Sequence, residues 1–228
     1  MKILIVNPNT SASMTAKISA AAKSVALPDT EIVAVNPEQG PASIQGYYDE
    51  ALALNGIIEQ VKAHNGFDAV VLACFDDTGL DAVRCLIDKP VLGIGEAAYH
   101  VASMLSNKFS VVTTLARSVP ALEHNLSRYG LATRCAKVRS SEVAVLELED
   151  PKSNARAMIS AEIAKAIKED RAEAIVLGCA GMTDLANSLS QEHGLPVIDG
   201  VVSAVGLCES MVRLNVKTSR LGGYAPPL

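Results

Sequence analysis

The chain has 228 residues, 49% of them apolar, and a net charge of −5 from 20 Lys/Arg against 25 Asp/Glu. Disordered chains combine low hydrophobicity with high charge, so this one has the material for one large domain or two small ones. No Lys/Arg run exceeds isolated pairs, which argues against nucleic acid and anionic membrane surfaces as partners, and no apolar stretch reaches the roughly 18 residues of a spanning helix.

The N-terminal MKILIVNPNTSASM holds a five-residue apolar run, shorter than the roughly 7–15 residues of a secretory h-region. It reads as a strand, Lys2–Val6, and the protein as cytoplasmic. A helix is predicted over Ser13–Val25, a strand over Glu31–Val35 and a helix over Tyr48–His64. Strand Ala69–Ala73, helix Asp81–Ile87, strand Val91–Gly93 and helix Glu96–Ser106 follow. The second part repeats the alternation: strand Ser110–Thr114, helix Val119–Tyr129, strand Thr133–Val138 and helix Ser153–Glu169. Strand Ala174–Leu177, helix Asp184–Glu192, strand Val197–Asp199 and helix Val202–Leu214 close it. Strands alternating with helices predict βαβ units and parallel sheets. Near-continuous apolar strands predict sheets covered on both faces. The tail GGYAPPL is expected to pack on a domain without joining a sheet.

An internal repeat organises these elements. AVVLACFDDTGL at Ala69–Leu80 and AIVLGCAGMTDL at Ala174–Leu185 match in register at Leu72/Leu177, Cys74/Cys179, Thr78/Thr183 and Leu80/Leu185. KPVLGIGEA at Lys89–Ala97 parallels LPVIDGVVSA at Leu195–Ala204, and ILIVNP at Ile3–Pro8 has a weaker echo in SVVTTL at Ser110–Leu115. The expected fold is α/β: two pseudo-symmetric halves with parallel sheets and a site in the cleft between them. Residues 1–97 with 205–228 form the first half and residues 98–204 the second. The last helix returns to the first half, because its counterpart would be the connector.

Ligands of open α/β sheets bind beyond the carboxyl ends of strands. Cys74 and Cys179 both fall there, and the repeat places them facing each other. Cys85 and Cys208 lie in helical segments and Cys135 by a strand, where free Cys is commonly a small buried hydrophobe. Five Cys without a CxxC spacing argue for free thiols. Two thiols on opposite sides of a pocket suit racemisation beside a carbonyl: one takes a proton from one face, the other delivers one to the opposite face. Each must be tuned so that thiol and thiolate coexist, and helix starts after each Cys are expected to lower its pKa. Backbone N–H groups of Phe75–Thr78 and Ala180–Thr183 are the natural donors to the enolate oxygen. A redox disulfide is the competing use of such a pair. It needs Cα atoms within about 7 Å, closer than a ligand-holding cleft allows.

The segments NPNTSASMT (Asn7–Thr15), GPASIQGYYDE (Gly40–Glu50), ACFDDTGLDAVR (Ala73–Arg84) and LGCAGM (Leu177–Met182) resemble the aspartate/glutamate racemase superfamily and, within it, the hydantoin/allantoin racemase family. The residues after each Cys, CFDD and GCAGM, favour the hydantoin branch over aspartate racemases, which tend to carry CNT and GCTE. The resemblance implies two flavodoxin-like halves, two-base catalysis by Cys74 and Cys179 without a cofactor, and a homo-oligomer. Members commonly have Gly or Ser where this chain has Asp76, and Pro where it has Thr78. Asp76 would raise the Cys74 pKa by like-charge repulsion, unless it points to solvent or caps the next helix.

Further candidates surround the pair. Asn9 and Thr10 follow the first strand and read as ligand donors or as turn and cap residues. Thr113 and Thr114 stand at the equivalent point of the second half. Gln45, Gly46 and Tyr47, with Tyr48, lie in a long βα loop that reads as a lid or substituent pocket, or as packing at a domain edge. Phe75, Asp76 and Asp77 in one cysteine loop, and Ala180, Gly181 and Met182 in the other, complete the set. The four His (His64, His100, His124, His193) include no i, i+4 pair with a nearby carboxylate, so no zinc or other metal site is expected. GIGEA at Gly93–Ala97 is an incomplete phosphate fingerprint with an acid inside it, and reads as a strand-to-helix turn.

The cysteine segments carry Asp76, Asp77, Asp81 and Asp184 against Arg84 alone. That favours a small neutral cyclic ureide, a 5-substituted hydantoin or allantoin, over an acidic amino acid. An aspartate/glutamate-type racemase, a decarboxylase of arylmalonate type, a maleate-type cis-trans isomerase and a two-lobed small-molecule sensor remain as other readings. The decarboxylase needs one thiol, and the sensor needs no pair.

Overall fold

The computed structural model describes residues 1–150 and 152–227. Eight strands form two four-stranded parallel sheets. The first has the order β2-β1-β3-β4, from β1 (Lys2–Val6), β2 (Glu31–Val35), β3 (Ala69–Leu72) and β4 (Val91–Gly93). The second has the order β6-β5-β7-β8, from β5 (Phe109–Thr113), β6 (Cys135–Ser140), β7 (Ala174–Gly178) and β8 (Val197–Ile198). The equal strand order is the repeat made visible. Helices α1 (Ala12–Val25), α2 (Tyr47–Ala63), α3 (Leu80–Leu86) and α4 (Ile94–Leu105) follow β1 to β4 in turn. Helices α5 (Val119–Arg128), α6 (Ala155–Lys165), α7 (Ala186–His193) and α8 (Gly200–Arg213) follow β5 to β8.

Side chains alternate between sheet faces with a period of two. Ile3 and Ile5 of β1 join Val111 and Val176 of the second sheet in one large core between the sheets. Leu4 and Val6 face outward under α2 and α3 with Ile57 and Leu80. Ile175 and Leu177 of β7 face outward under α6 and α7 with Ile159 and Leu189. Both faces of each central strand are therefore dry, which explains the absence of polar alternation in the sequence.

Helix α4 links the sheets and lies in the central core. Helix α8 leaves the edge of the second sheet and packs on α1, α4 and the strands β3 and β4 of the first. Gly200, the first residue of α8, makes that approach possible. A Cβ there would sit 2.5 Å from the Ile94 carbonyl oxygen, a backbone atom held in α4. Gly200→Ala is expected to destabilise the protein by about 1–3 kcal/mol, read from a urea unfolding midpoint. An unchanged midpoint would show that α8 can tilt away freely.

Most element boundaries shift by one or two residues from expectation, and two of the shifts share one reason. Strand β6 begins and ends two residues later than the sequence suggested. The predicted single helix 153–169 ends at Lys165, followed by a π-helical turn, Ala166–Asp170. Buried Arg139, near the end of β6, bonds Asp170 at 2.6 Å, Glu162 at 2.9 Å and Glu169 at 2.7 Å. A buried arginine needs paired carboxylates; α6 supplies Glu162 and the widened turn Glu169 and Asp170.

The tail packs on α3. Thr218 Oγ1 donates to the Lys89 carbonyl, Arg220 to the carbonyls of Arg84, Cys85 and Ile87, and Tyr224 to Asp81. The tail's last residue, Leu228, lies outside the described residues. Among those residues no helix is long and apolar enough to cross a membrane.

Candidate active site

The carboxyl ends of both sheets open on one cleft. Cys74 follows β3, Cys179 follows β7, and both line it as free thiols. Asn9 after β1 and Thr113 and Thr114 of the β5 end complete its polar wall, with Ser118. Phe75, Asp76 and Ala180 line it too. Phe75 packs edge-on against Tyr99 with ring centroids 5.3 Å apart, which fixes the loop next to Cys74.

Asn9 is buried and held in one orientation. Its Oδ1 accepts from Asn7 Nδ2 and from the Ser11 N–H, both at 2.9 Å. Among the described residues its NH2 meets only the weak acceptor Met14 Sδ, at 3.3 Å, so it can donate to a ligand carbonyl. Thr113 Oγ1 instead donates to the Gly178 carbonyl at 2.9 Å and ties the β5 and β7 ends together.

Several sequence candidates stand elsewhere. Thr10 turns to the Pro41 carbonyl through both its N–H and its hydroxyl. Gln45 bridges Ser43 and the Val145 N–H over the cleft mouth. Gly46 starts α2 beside the Arg117 side chain. Tyr47, 61% exposed, lines an adjoining concavity of about 500 Å³ with Glu50, Leu54, His124 and Asp76. Met182 is fully buried in the core beneath α6 and α7, since one turn of 3₁₀ helix carries its side chain inward. Gly181 contributes its N–H, which donates to the Cys179 sulfur at 3.4 Å.

Asp77 faces away from the thiols. Its carboxylate accepts from the Gly95 and Glu96 N–H groups at 3.0 and 2.8 Å and from the Tyr129 hydroxyl at 2.7 Å. It thus caps α4, which starts at Ile94, two residues before the predicted start. A Cβ at Gly95 would meet the Phe75 carbonyl at 2.4 Å, so glycine in GIGEA serves this close approach.

Pro8, Met14, Ile44, Ser118, Val145 and Gly178 line the cleft without having been singled out in the sequence. Ile44 precedes α2 and Val145 opens a 3₁₀ turn, and the two segments are joined by the Val145 N–H donating to Gln45 Oε1. The covered space between the thiols measures about 30 Å³.

Burial governs the ionisation of both thiols. It pushes Cys74 well above the ordinary thiol value, with the Asp76 and Glu50 charges adding to the rise and Thr78 opposing it. Burial likewise pushes Cys179 up to about 11, against the Gly181 N–H and the Lys17 ammonium. The expected lowering by helix starts is overturned. Helix α3 begins only at Leu80, and Cys179 precedes a single 3₁₀ turn. Nor are all the loop N–H groups free for an enolate, because those of Asp77, Met182 and Thr183 close turns inside their own loops.

Asp76 lines both cavities, beside Glu50 in the larger one. Burial, then the charges of Glu50 and Asp77, push it up to about 8; burial pushes Asp77 up to about 7. Unfolded, each carboxyl titrates near 4. The folded protein therefore holds these protons more tightly, and the stability they contribute is complete below about pH 4 and lost as pH rises through 7–8. Thermal stability is expected to fall between pH 5 and 9, and Asp76→Asn to flatten the fall. A parallel decline in the variant would remove Asp76 as its source.

The family model described as Asp/Glu/Hydantoin racemase matches residues 3–208. The chain belongs to this racemase family. It is an isomerase, a racemase, and its natural ligand is a small molecule. It is 49% identical over 230 residues to the hydantoin racemase of Pseudomonas sp. (strain NS671), covering 100% of this chain and 92% of that one. It superposes with a TM-score of 0.98 on the allantoin racemase of Klebsiella pneumoniae, at 46% identity, covering 100% of this chain and 94% of that one. A glutamate racemase of Bacillus anthracis shares the fold at a TM-score of 0.69 and 14% identity, over 93% of this chain and 82% of that one.

Proposed function

We propose that the racemase acts on neutral cyclic ureides, 5-substituted hydantoins or allantoin, by two-base catalysis through Cys74 and Cys179. The observation that carries this reading is the lining of the cleft. Asn, Thr and Ser side chains stand between the thiols with one carboxyl group, Asp76, and among the described residues no Lys or Arg lines it. An aspartate or glutamate substrate needs cationic partners for its carboxylates. A ureide ring needs neutral donors and acceptors, which Asn9, Thr114 and Ser118 provide.

One thiolate takes the C5 proton from one face of the ring. The opposite thiol returns a proton to the other face, and the reverse reaction exchanges the roles. The carbonyl oxygen beside C5 gains charge in between, and the Asn9 NH2 is a fixed donor for it. The C5 substituent extends past Asp76 into the larger concavity. Entry requires the loops carrying Ile44 and Val145 to part, because about 30 Å³ is the room of a single water. The decarboxylase reading needs one thiol at the cleft, and two line it. The same reading divides the chain into 1–97 with 205–228, and 98–204, one unit on each side of the cleft. Five free thiols fit the reducing cytoplasm. A homo-oligomer is part of the proposal, with the exposed Tyr47, Tyr48 and Leu52 of α2 as contact surface; light scattering giving a monomer mass would refute that part.

Polarimetry on single enantiomers of 5-benzylhydantoin and allantoin, with L-aspartate and L-glutamate beside them, tests the substrate class. Rotation is expected to decay to zero with a ureide and to persist with both amino acids. Because both thiols are held high, the decay should quicken by about tenfold per pH unit between pH 7 and 9. Decay with an amino acid alone would overturn the ureide reading.

A further inference from the structure

Each cysteine loop is gripped at the same point by a helix from the other sheet. After β3, the Asp76 N–H favours the Cys74 thiolate, and the Asp76 carbonyl accepts a 2.8 Å bond from Asn125 Nδ2. After β7, the Gly181 N–H bonds the Cys179 sulfur at 3.4 Å, and the Gly181 carbonyl accepts a 3.0 Å bond from Lys17 Nζ. Asp76 and Gly181 each stand two residues beyond their cysteine. Lys17 lies on α1, which packs on β2 of the first sheet, and Asn125 on α5, which packs on β6 of the second. Each side chain therefore crosses from its own sheet to the residue two positions beyond the opposite cysteine.

The two grips differ in charge. Asn125 is a neutral amide. Lys17 is an ammonium that also bonds the Leu148 carbonyl at 3.4 Å and pairs with Asp184 at 3.0 Å. The charged groups facing Cys179 are Lys17, Asp76 and Asp199. Those facing Cys74 are Asp76 and Glu50.

We propose that Lys17 and Asn125 are reciprocal positioning residues, each fixing the thiol loop of the opposite sheet, and that the Lys17 charge makes Cys179 the more readily ionised thiol of the pair. The meaning of this inequality for turnover rests on the two-thiol reading above; the grip itself does not. Neither residue touches the reacting carbon. A thiol with a fixed cation nearby ionises more readily than one facing carboxylates alone, so the pair starts each turnover in an unequal state although the reaction it serves is symmetric.

Site-by-site alkylation by iodoacetamide, mapped by peptide mass from pH 7 to 10, tests this without a substrate. Lys17→Met is expected to slow modification of Cys179 by about tenfold at pH 8 and move its profile to higher pH, leaving Cys74 within about twofold. Lys17→Arg, which keeps the charge, is expected to restore Cys179. Asn125→Ala is expected to change Cys74 by more than about threefold and to spare Cys179, because the grips are separate. Cys208, fully buried in the central core, must stay unmodified throughout and so reports an intact fold. Equal effects on both thiols, or none, with Cys208 protected, would overturn the proposal. If Lys17→Met exposes Cys208, Asn125→Ala decides alone: an unchanged Cys74 profile overturns the grip. A protein that shows these selective shifts but racemises no ureide would refute the function and leave the grip standing.

Discussion

Replacing either Cys74 or Cys179 by Ser is expected to lower racemisation of a 5-substituted hydantoin by about 10²–10⁴-fold, the contribution of a placed acid or base. The change is nearly isosteric, so the loops keep their shape. Cys74 would keep its Thr78 neighbour, 3.5 Å away, and Cys179 its Gly181 N–H. What disappears is the more acidic of the two groups, since an alcohol ionises far above a thiol. The loss should be two-sided for inversion and one-sided for exchange. Each variant retains one thiol, so it should still wash the C5 proton of one enantiomer into solvent without inverting it. Near-full racemisation by either variant, with an unchanged melting temperature, would defeat the two-base account.

The largest structural effect is expected from Asp77→Ala. Asp77 is fully enclosed, with φ +54°, and holds three donors: two N–H groups at the start of α4 and the Tyr129 hydroxyl of the second sheet's layer. Truncation removes the cap and leaves these donors buried and unpaired. Loss of a cap and stranding of buried donors together cost about 2–4 kcal/mol, or about 5–15 °C in melting temperature for a chain of this length. Asp77→Asn, which keeps one acceptor oxygen, should lose less than half as much. Calorimetry checks both. A melting temperature within about 2 °C of wild type for Asp77→Ala would show that α4 draws its stability from packing alone.

The Asp77 result shows where reading the sequence stops. Its neighbour Asp76 lines the cleft, while Asp77 turns its back on it, and adjacent positions in a βα loop carry no periodic signal to separate them. Met182 and Thr10 fail for the same reason: each sits in a motif that reaches the cleft through a neighbour, Ala180 or Asn9, while its own side-chain direction is set by one turn of backbone. The strands were legible because burial on both faces leaves continuous apolar runs at Ile3–Val6 and Ala69–Leu72. Strand β6 was read two residues early because Arg139 looks like an exposed end until its three carboxylates are seen around it. The repeat located both thiols, since equivalent strand ends must open on the same side of two like sheets. Ile44 and Val145 carry no chemical label and reach the cleft from loops far from either cysteine, so only the folded chain brings them there. Lys17 and Asn125 escaped notice because each acts on a carbonyl outside its own sheet.

The central claim is that two thiols on opposite faces of the substrate exchange a proton through solvent-equilibrated groups. Its most direct test is a racemisation of one enantiomer of 5-benzylhydantoin in D2O, stopped when about a tenth has inverted, with C5 of both enantiomers analysed by mass spectrometry after chiral separation. Two-base catalysis delivers a deuteron from the second thiol, so the inverted product should carry deuterium at C5 while the remaining substrate keeps its protium. Protium retained in the product, or deuterium entering the remaining substrate as fast as product forms, would mean that one base serves both faces and would contradict the account.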